Sequence, residues 1–342
     1  MNTTKRKTAF ITGITGMVGS HLADFLIENT DWDIVGLIRW RSSLENIGDL
    51  ARMSNSKDRV SFIYGDLTDP TSIKNAIDDF KFDYVFHLAA QSFPKTSFES
   101  PLQTYDVNIL GTSTLLEALK NNSPDAIIHV CSSSEVFGRV PKEKVPIKED
   151  CAFHPASPYA ISKVGTDLIG RFFSEAYGLK IMTTRMFTHT GPRRGDVFAE
   201  SSFAKQIALA EAGYQKPLIK VGNLDSLRTI ADVRDAVRAY YMLVTINPIP
   251  GESYNIGGTH TLTVKEILEY LISISTLNTK LEYVIDKSRL RPIDADLQLP
   301  STEKFTKHTG WTPKIKFEKT MNDLLNYWRE KIDKDGNVFL ER

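Results

Sequence analysis

The chain of 342 residues sets 42 basic side chains against 42 acidic ones and has only two cysteines, Cys131 and Cys151. The even charge excludes a general nucleic-acid or membrane-surface binder, and so few cysteines exclude a disulfide framework, so the expected setting is a reducing cytoplasm. No apolar run is long enough to cross a bilayer, and the short run Ala9–Ile11 meets glycine too soon to be a signal-peptide core.

Short apolar runs alternate with amphipathic stretches through the first half, which predicts an α/β fold with a doubly wound parallel sheet. The first strand, Ala9–Ile11, leads into Gly13, Gly16 and Gly19 and then a helix over Ser20–Glu28. In that strand–turn–helix context the glycines let the backbone turn sharply and approach a pyrophosphate at the positive helix end, the mark of a Rossmann-type site. The second strand, Ile34–Ile38, ends in Arg39-Trp40-Arg41-Ser42-Ser43 with no acid. Dinucleotide sites for NAD place an acid there and those for NADP an arginine, so Arg39 favours NADP over NAD; solvated loop arginines are the plainer reading. Asp66 follows the third strand, Val60–Tyr64, where it could accept from an adenine amine or serve as a helix cap or turn residue.

The fourth strand, Tyr84–Leu88, runs into Ala89-Ala90-Gln91-Ser92, whose small residues let a cofactor lie against the backbone. His87 is read as a buried, hydrogen-bonded strand residue without a catalytic role. A helix over Thr112–Lys120 precedes the fifth strand, Ala126–Val130, which meets Ser132-Ser133-Ser134-Glu135. Downstream, Tyr159 and Lys163 stand four apart, on one face of a helix. The Lys163 ammonium would favour the Tyr159 phenolate, making it a usable base, and Glu135 supplies a second proton acceptor. Two bases point beyond simple alcohol oxidation. After about Gly191 the pattern changes to scattered charges, prolines and helices over Val264–Ile274 and Phe317–Glu330. Residues 1–190 are therefore expected to form the cofactor-binding, catalytic domain and residues 191–342 mainly a smaller mixed α/β substrate lobe, not independently folding. No metal site is expected.

The glycine loop, His87–Ser92, the serine run and the Tyr159/Lys163 pair together resemble the extended short-chain dehydrogenase/reductases. That resemblance implies Tyr159 as acid/base, Lys163 holding the nicotinamide ribose and Ser133 bonding the reacting sugar oxygen. Arg39–Ser43, His189-Thr190-Gly191-Pro192-Arg193-Arg194-Gly195, Val221–Leu224 with Arg228, Asp232–Asp235, Arg289–Pro292 and Gly310–Pro313 extend the likeness, over nearly the whole chain, to the GDP-mannose 4,6-dehydratases. The implied activity is that of a lyase: oxidation at C4, removal of the C5 proton by Glu135 with loss of water from C6, then return of hydride to C6. Ser134 is implied in proton traffic at C6. Arg193, Arg228 and Arg291 are assigned to the substrate, the guanidinium fork suiting a GDP diphosphate; a structural ion pair is the other use of Arg228 or Arg291. Where the family has asparagine this chain has Thr188, which loses the amide's reach and puts a heptose or amino sugar beside mannose as candidates. A GDP-4-keto-sugar reductase or a nucleotide-sugar epimerase would share Tyr159 and Lys163 but leave Glu135 idle, and a third class is a catalytically silent nucleotide sensor. The resemblance also implies a homodimer or homotetramer, with the Arg39–Ser43 loop near a subunit contact.

Overall fold

The computed structural model describes residues 5–55, 59–293, 295 and 297–336. In chain order the first half runs β1 (Thr8–Thr12), α1 (Met17–Asn29), β2 (Asp33–Ile38), α2 (Gly48–Asn55), β3 (Val60–Tyr64), α3 (Pro70–Ile77), β4 (Tyr84–His87), α4 (Pro94–Glu99), α5 (Pro101–Tyr105), α6 (Gly111–Asn122), β5 (Ile127–Cys131), α7 (Pro158–Tyr177) and β6 (Lys180–Met186). The second half adds β7 (His189–Thr190), α8 (Ala199–Glu211), β8 (Leu218–Val221), β9 (Leu227–Asp232), α9 (Val233–Thr245), β10 (Ser253–Ile256), β11 (His260–Thr263), α10 (Val264–Ser273), β12 (Glu282–Ile285), β13 (Leu297–Gln298), α11 (Glu303–Thr309) and α12 (Phe317–Asp335).

A seven-stranded parallel sheet, ordered β10-β6-β5-β4-β1-β2-β3, carries helices on both faces. The pleat explains why its strands read as continuous apolar runs. Ala9 and Ile11 of β1 enter a core with α1 and α9, whereas Phe10 enters the opposite core with Ile73, Leu115 and Leu116 of α3 and α6. Both faces are closed, so alternation of polar and apolar residues disappears.

The expected division near residue 190 is crossed by the chain. α9, β10 and α11 return to the sheet: β10 pairs in parallel with β6, and Tyr240, Tyr254, Phe305 and Trp311 join the core beneath α1. Trp311 is fully buried and its indole donates to the Asp235 carbonyl at 3.1 Å. A side chain of this size contributes about 1.5–3 kcal/mol by burial. The remainder forms a lobe in which α8, α10 and α12 enclose their own core against β8 and β9. Asp232 joins the two parts: it caps α9 through the Arg234 amide at 2.8 Å and accepts from Thr320 of α12 at 2.7 Å. Among the described residues no helix is long and apolar enough to cross a membrane.

Candidate active site

Parallel strands all point their carboxyl ends to one edge, and the loops leaving that edge hold the candidate residues. β1 hands over to α1 through the glycine loop. Gly13 has φ 74°, and a Cβ there would lie 2.8 Å from the Ala89 amide nitrogen, against the exit of β4. A Cβ on Gly19 would meet the Gly13 carbonyl at 2.3 Å. Gly16 caps α1 with no side-chain acceptor, which leaves the first-turn N–H groups for an anion. These features fit a nicotinamide dinucleotide. Arg39 follows β2 in an exposed turn closed by Ser42 N–H to the Arg39 carbonyl at 2.9 Å, and Asn46 ties this loop to the glycine loop through the Thr15 carbonyl at 3.0 Å. Asp66 behaves as a turn residue: its Oδ1 accepts from the Thr68 amide and hydroxyl at 3.0 and 2.8 Å, while Asp69 caps α3. His87 is fully engaged, Nδ1 with Thr12 and Nε2 with Thr112, each at 2.9 Å.

β5 ends in a single helical turn, Ser134–Phe137, which Ser133 caps by accepting from the Glu135 amide at 3.2 Å. That cap fixes Ser133 and Glu135 together. Ser134, Val136 and Phe137 are buried beneath, whereas Glu135 stays partly open. α7 begins with Ser157 as cap and Pro158 at its first position, so Tyr159 emerges in the first turn. Its amide donates to Ser97 at 3.0 Å, and its phenol shares a hydrogen bond with the Ser133 hydroxyl. Burial pushes the phenol above its ordinary range; the Ser133 bond and the charge of Arg194 oppose that shift, while Cys131 and Glu135 add to it. Lys163, one turn on, donates to the Cys131 carbonyl at 2.8 Å, and burial lowers its pKa. The sequence reading gave the lowering of the phenol to Lys163. The structure differs: desolvation dominates, the nearby cation acting on Tyr159 is Arg194, and the lysine is held by a main-chain carbonyl.

The structure separates the two adjacent arginines. Arg193 has φ 67°, a left-handed conformation rare for a large side chain, and this turns its guanidinium back to Asp24 of α1 at 2.6 Å. Arg193, expected at the substrate, forms an ion pair that, with His21 against the Pro192 carbonyl at 3.1 Å, fastens this loop to α1. Arg194 instead stacks on Phe198, with its guanidinium carbon 3.4 Å from the ring centre, and faces Glu200 at 3.5 Å. Its charge acts on both Tyr159 and His189, and His189, lowered first by burial and then by Arg194, falls to about 4. Sequence reasoning left Arg194 out of the site; the doubled arginine was the signal, but only the backbone conformation tells which one faces inward.

Thr188 is half-buried where the chain leaves β6, and its carbonyl accepts from Ala231 of β9 at 3.0 Å. Arg228 lies on β9, with Nη1 donating to the Ala295 and Leu227 carbonyls at 2.7 and 3.0 Å. Arg291 is half-buried in the loop that crosses Gly222, where a Cβ would lie 3.0 Å from the Arg289 carbonyl. Among the described residues no group of His, Cys, Asp or Glu could hold a metal ion.

Residues 10–324 match the sequence model of the family described as GDP-mannose 4,6 dehydratase. The chain is 35% identical to GDP-mannose 4,6 dehydratase 1 of Arabidopsis thaliana, covering 97% of this chain and 93% of that one. It is 30% identical to GDP-6-deoxy-D-mannose reductase of Pseudomonas aeruginosa, over 94% and 97% of the two chains. Among solved structures it resembles RMD from Pseudomonas aeruginosa complexed with NADPH, with a TM-score of 0.80, 28% identity and coverage of 95% and 99%.

Proposed function

The chain belongs to the GDP-mannose 4,6-dehydratase family, and from that premise we propose that it converts GDP-mannose, or a close variant such as a GDP-manno-heptose, to the GDP-4-keto-6-deoxy sugar. The observation that carries the reading is the capped turn that holds Ser133 on the Tyr159 phenol and keeps Glu135 beside both. Ser133 orients the C4 hydroxyl, and Tyr159 takes its proton. Glu135 removes the C5 proton, made acidic by the new C4 carbonyl, and returns a proton to C5 once C6 is reduced; Ser134 stands next to it for the proton that leaves with the C6 oxygen. Arg194 offsets the negative charge of the phenolate form that takes the C4 hydroxyl proton, and Lys163, held at the Cys131 carbonyl, is assigned to the nicotinamide ribose. NADP, when bound, supplies the hydride acceptor at C4 and the donor at C6. Arg39, exposed at the end of β2 and followed by no acid through Ser43, supports NADP over NAD. Arg228 and Arg291 are assigned to the GDP diphosphate.

The same reading includes a homodimer or homotetramer in the cytoplasm. Its support is an apolar stripe on α7, Ile161, Leu168 and Phe172 at 45%, 40% and 53% exposure, and two unpaired thiols. The similarity to GDP-6-deoxy-D-mannose reductase favours a second reading, an NADPH-dependent GDP-4-keto-sugar reductase. One incubation separates them: purified protein with GDP-mannose, no reductant, and mass spectrometry of the sugar nucleotide. Loss of one water without net cofactor consumption is expected. No dehydration of GDP-mannose, with NADPH consumed on a GDP-4-keto sugar, would replace the first reading with the second.

A further inference from the structure

Gln298 lies on β13, paired in parallel register with Arg228 of β9. Residues opposite each other in a parallel pair project from the same face, so its amide stands beside the Arg228 side chain. Gln298 is 1% exposed, and among the described residues neither its Oε1 nor its Nε2 finds a hydrogen-bond partner. Other buried side chains leave one atom unmet: His129 still pairs through Nε2 with Thr184, and Asn255 through Nδ2 with the Ile147 carbonyl. Gln298 leaves both, although leucine or methionine would fill the same space without desolvating an amide.

Its position connects the two ends of the site. On one side is Arg228. On the other, Pro300, two residues further on, packs with Phe187 around Gly257, where a Cβ would lie 2.7 Å from Pro300 Cγ and 3.1 Å from Phe187 Cβ. Phe187 directly precedes Thr188, and β7 carries that segment along Ala231 and Asp232 of the same strand β9. Gln298 thus pairs with β9 at Arg228, and the same strand holds the Thr188 carbonyl through the Ala231 amide. We propose that Gln298 hydrogen-bonds a hydroxyl of the bound sugar and thereby helps set which GDP-linked sugar is accepted. A hydroxyl both donates and accepts, so one such group meets the Oε1 and Nε2 requirements together. This inference rests on the GDP-sugar reading above.

The test is calorimetric titration of GDP and of GDP-mannose into the wild type, Gln298→Met and Gln298→Leu, with thermal unfolding of each. The variants are expected to melt at or above the wild-type temperature and to keep the wild-type Kd for GDP. Their Kd for GDP-mannose is expected to rise about tenfold or more, the consequence of losing a buried polar contact to the ligand. Unchanged GDP-mannose binding would assign the amide to internal water and overturn the proposal, as would an equal loss for GDP and GDP-mannose. Failure of both variants to fold would overturn it too, because an amide unmet in the free protein is dispensable to the fold. A wild type that binds neither nucleotide would instead sink the parent reading.

Discussion

The strand ends of the seven-stranded sheet and the arginine-rich second lobe place their side chains by different physics. In the sheet half, the candidates sit on turns and helix starts shaped by local bonds: Ser133 caps its turn, Ser157 caps the helix of Tyr159, and Gly19 folds against the Gly13 carbonyl. In the lobe, position depends on distant chain. β9 gathers β7, β11 and β13, so Arg228 is set by residues near 260 and near 297. Motifs there that carry the family resemblance also serve as joints. Asp232–Asp235 caps α9 and receives the indole of Trp311 and the amides of Lys314 and Ile315. A motif in the sheet half therefore reports chemistry more directly than one in the lobe.

That contrast predicts where rate is lost. Tyr159→Phe removes the phenol while keeping the ring, and the hydride step should slow by about 10²–10⁴-fold, the usual weight of a positioned acid/base. Pre-steady-state formation of NADPH from bound NADP measures it; turnover near the wild-type rate would take the base away from Tyr159. Glu135→Gln should cost the dehydration about 10²-fold or more while C4 oxidation continues. Single-turnover product analysis would show oxidised but not dehydrated sugar, and an unchanged yield of 6-deoxy product would end the role given to Glu135.

The two regions should also part under acid. Burial is the first cause holding His87 and His129 at about 3; His87 comes next for His129, and Lys163 adds to both. Each folded pKa lies below the unfolded value near 6.5, so the unfolded chain binds more protons as pH falls. Stability is full above about 6.5 and drops below it, by up to about 1.4 kcal/mol per pH unit per histidine. The lobe's Glu211 is raised by burial, but Arg329 and the Thr276 and Ser275 donors bring it down to about 2, so its contribution is lost only below about 4.5. Hydrogen exchange at pH 5 against pH 7 should therefore loosen β4–β6 before α8 and α12. Earlier opening of the helices would refute the assignment.

Much of the sheet was legible because a strand buried on both faces needs β-branched and aromatic runs, and because Tyr159 and Lys163 share a helix whose cap lies two residues ahead. The return of α9, β10 and α11 was not. α9 has a clear apolar stripe, Val233, Ala236, Val237, Tyr240 and Val244, but periodicity gives a buried face without naming what covers it. β10 is four residues between polar and glycine neighbours, too short to signal a seventh strand. Gln298 escaped notice because an unmet amide is visible only once its surroundings are known.

The adjacent arginines give the smallest and sharpest test. Arg194→Ala should disturb substrate turnover, since its charge reaches Tyr159 and His189, whereas Arg193→Ala should leave KM and kcat near the wild type. The Arg193–Asp24 pair is partly solvated, at 27% and 33% side-chain exposure, so its loss should cost only about 0.5–1 kcal/mol. Arg193→Gly loses the same ion pair but adopts φ 67° without a Cβ penalty, so it should recover part of that cost and melt above the alanine variant. If glycine melts below alanine, backbone strain at 193 is not what turns the two side chains apart. If Arg193→Ala raises KM as much as Arg194→Ala does, the ion pair with Asp24 is not where Arg193 acts during turnover.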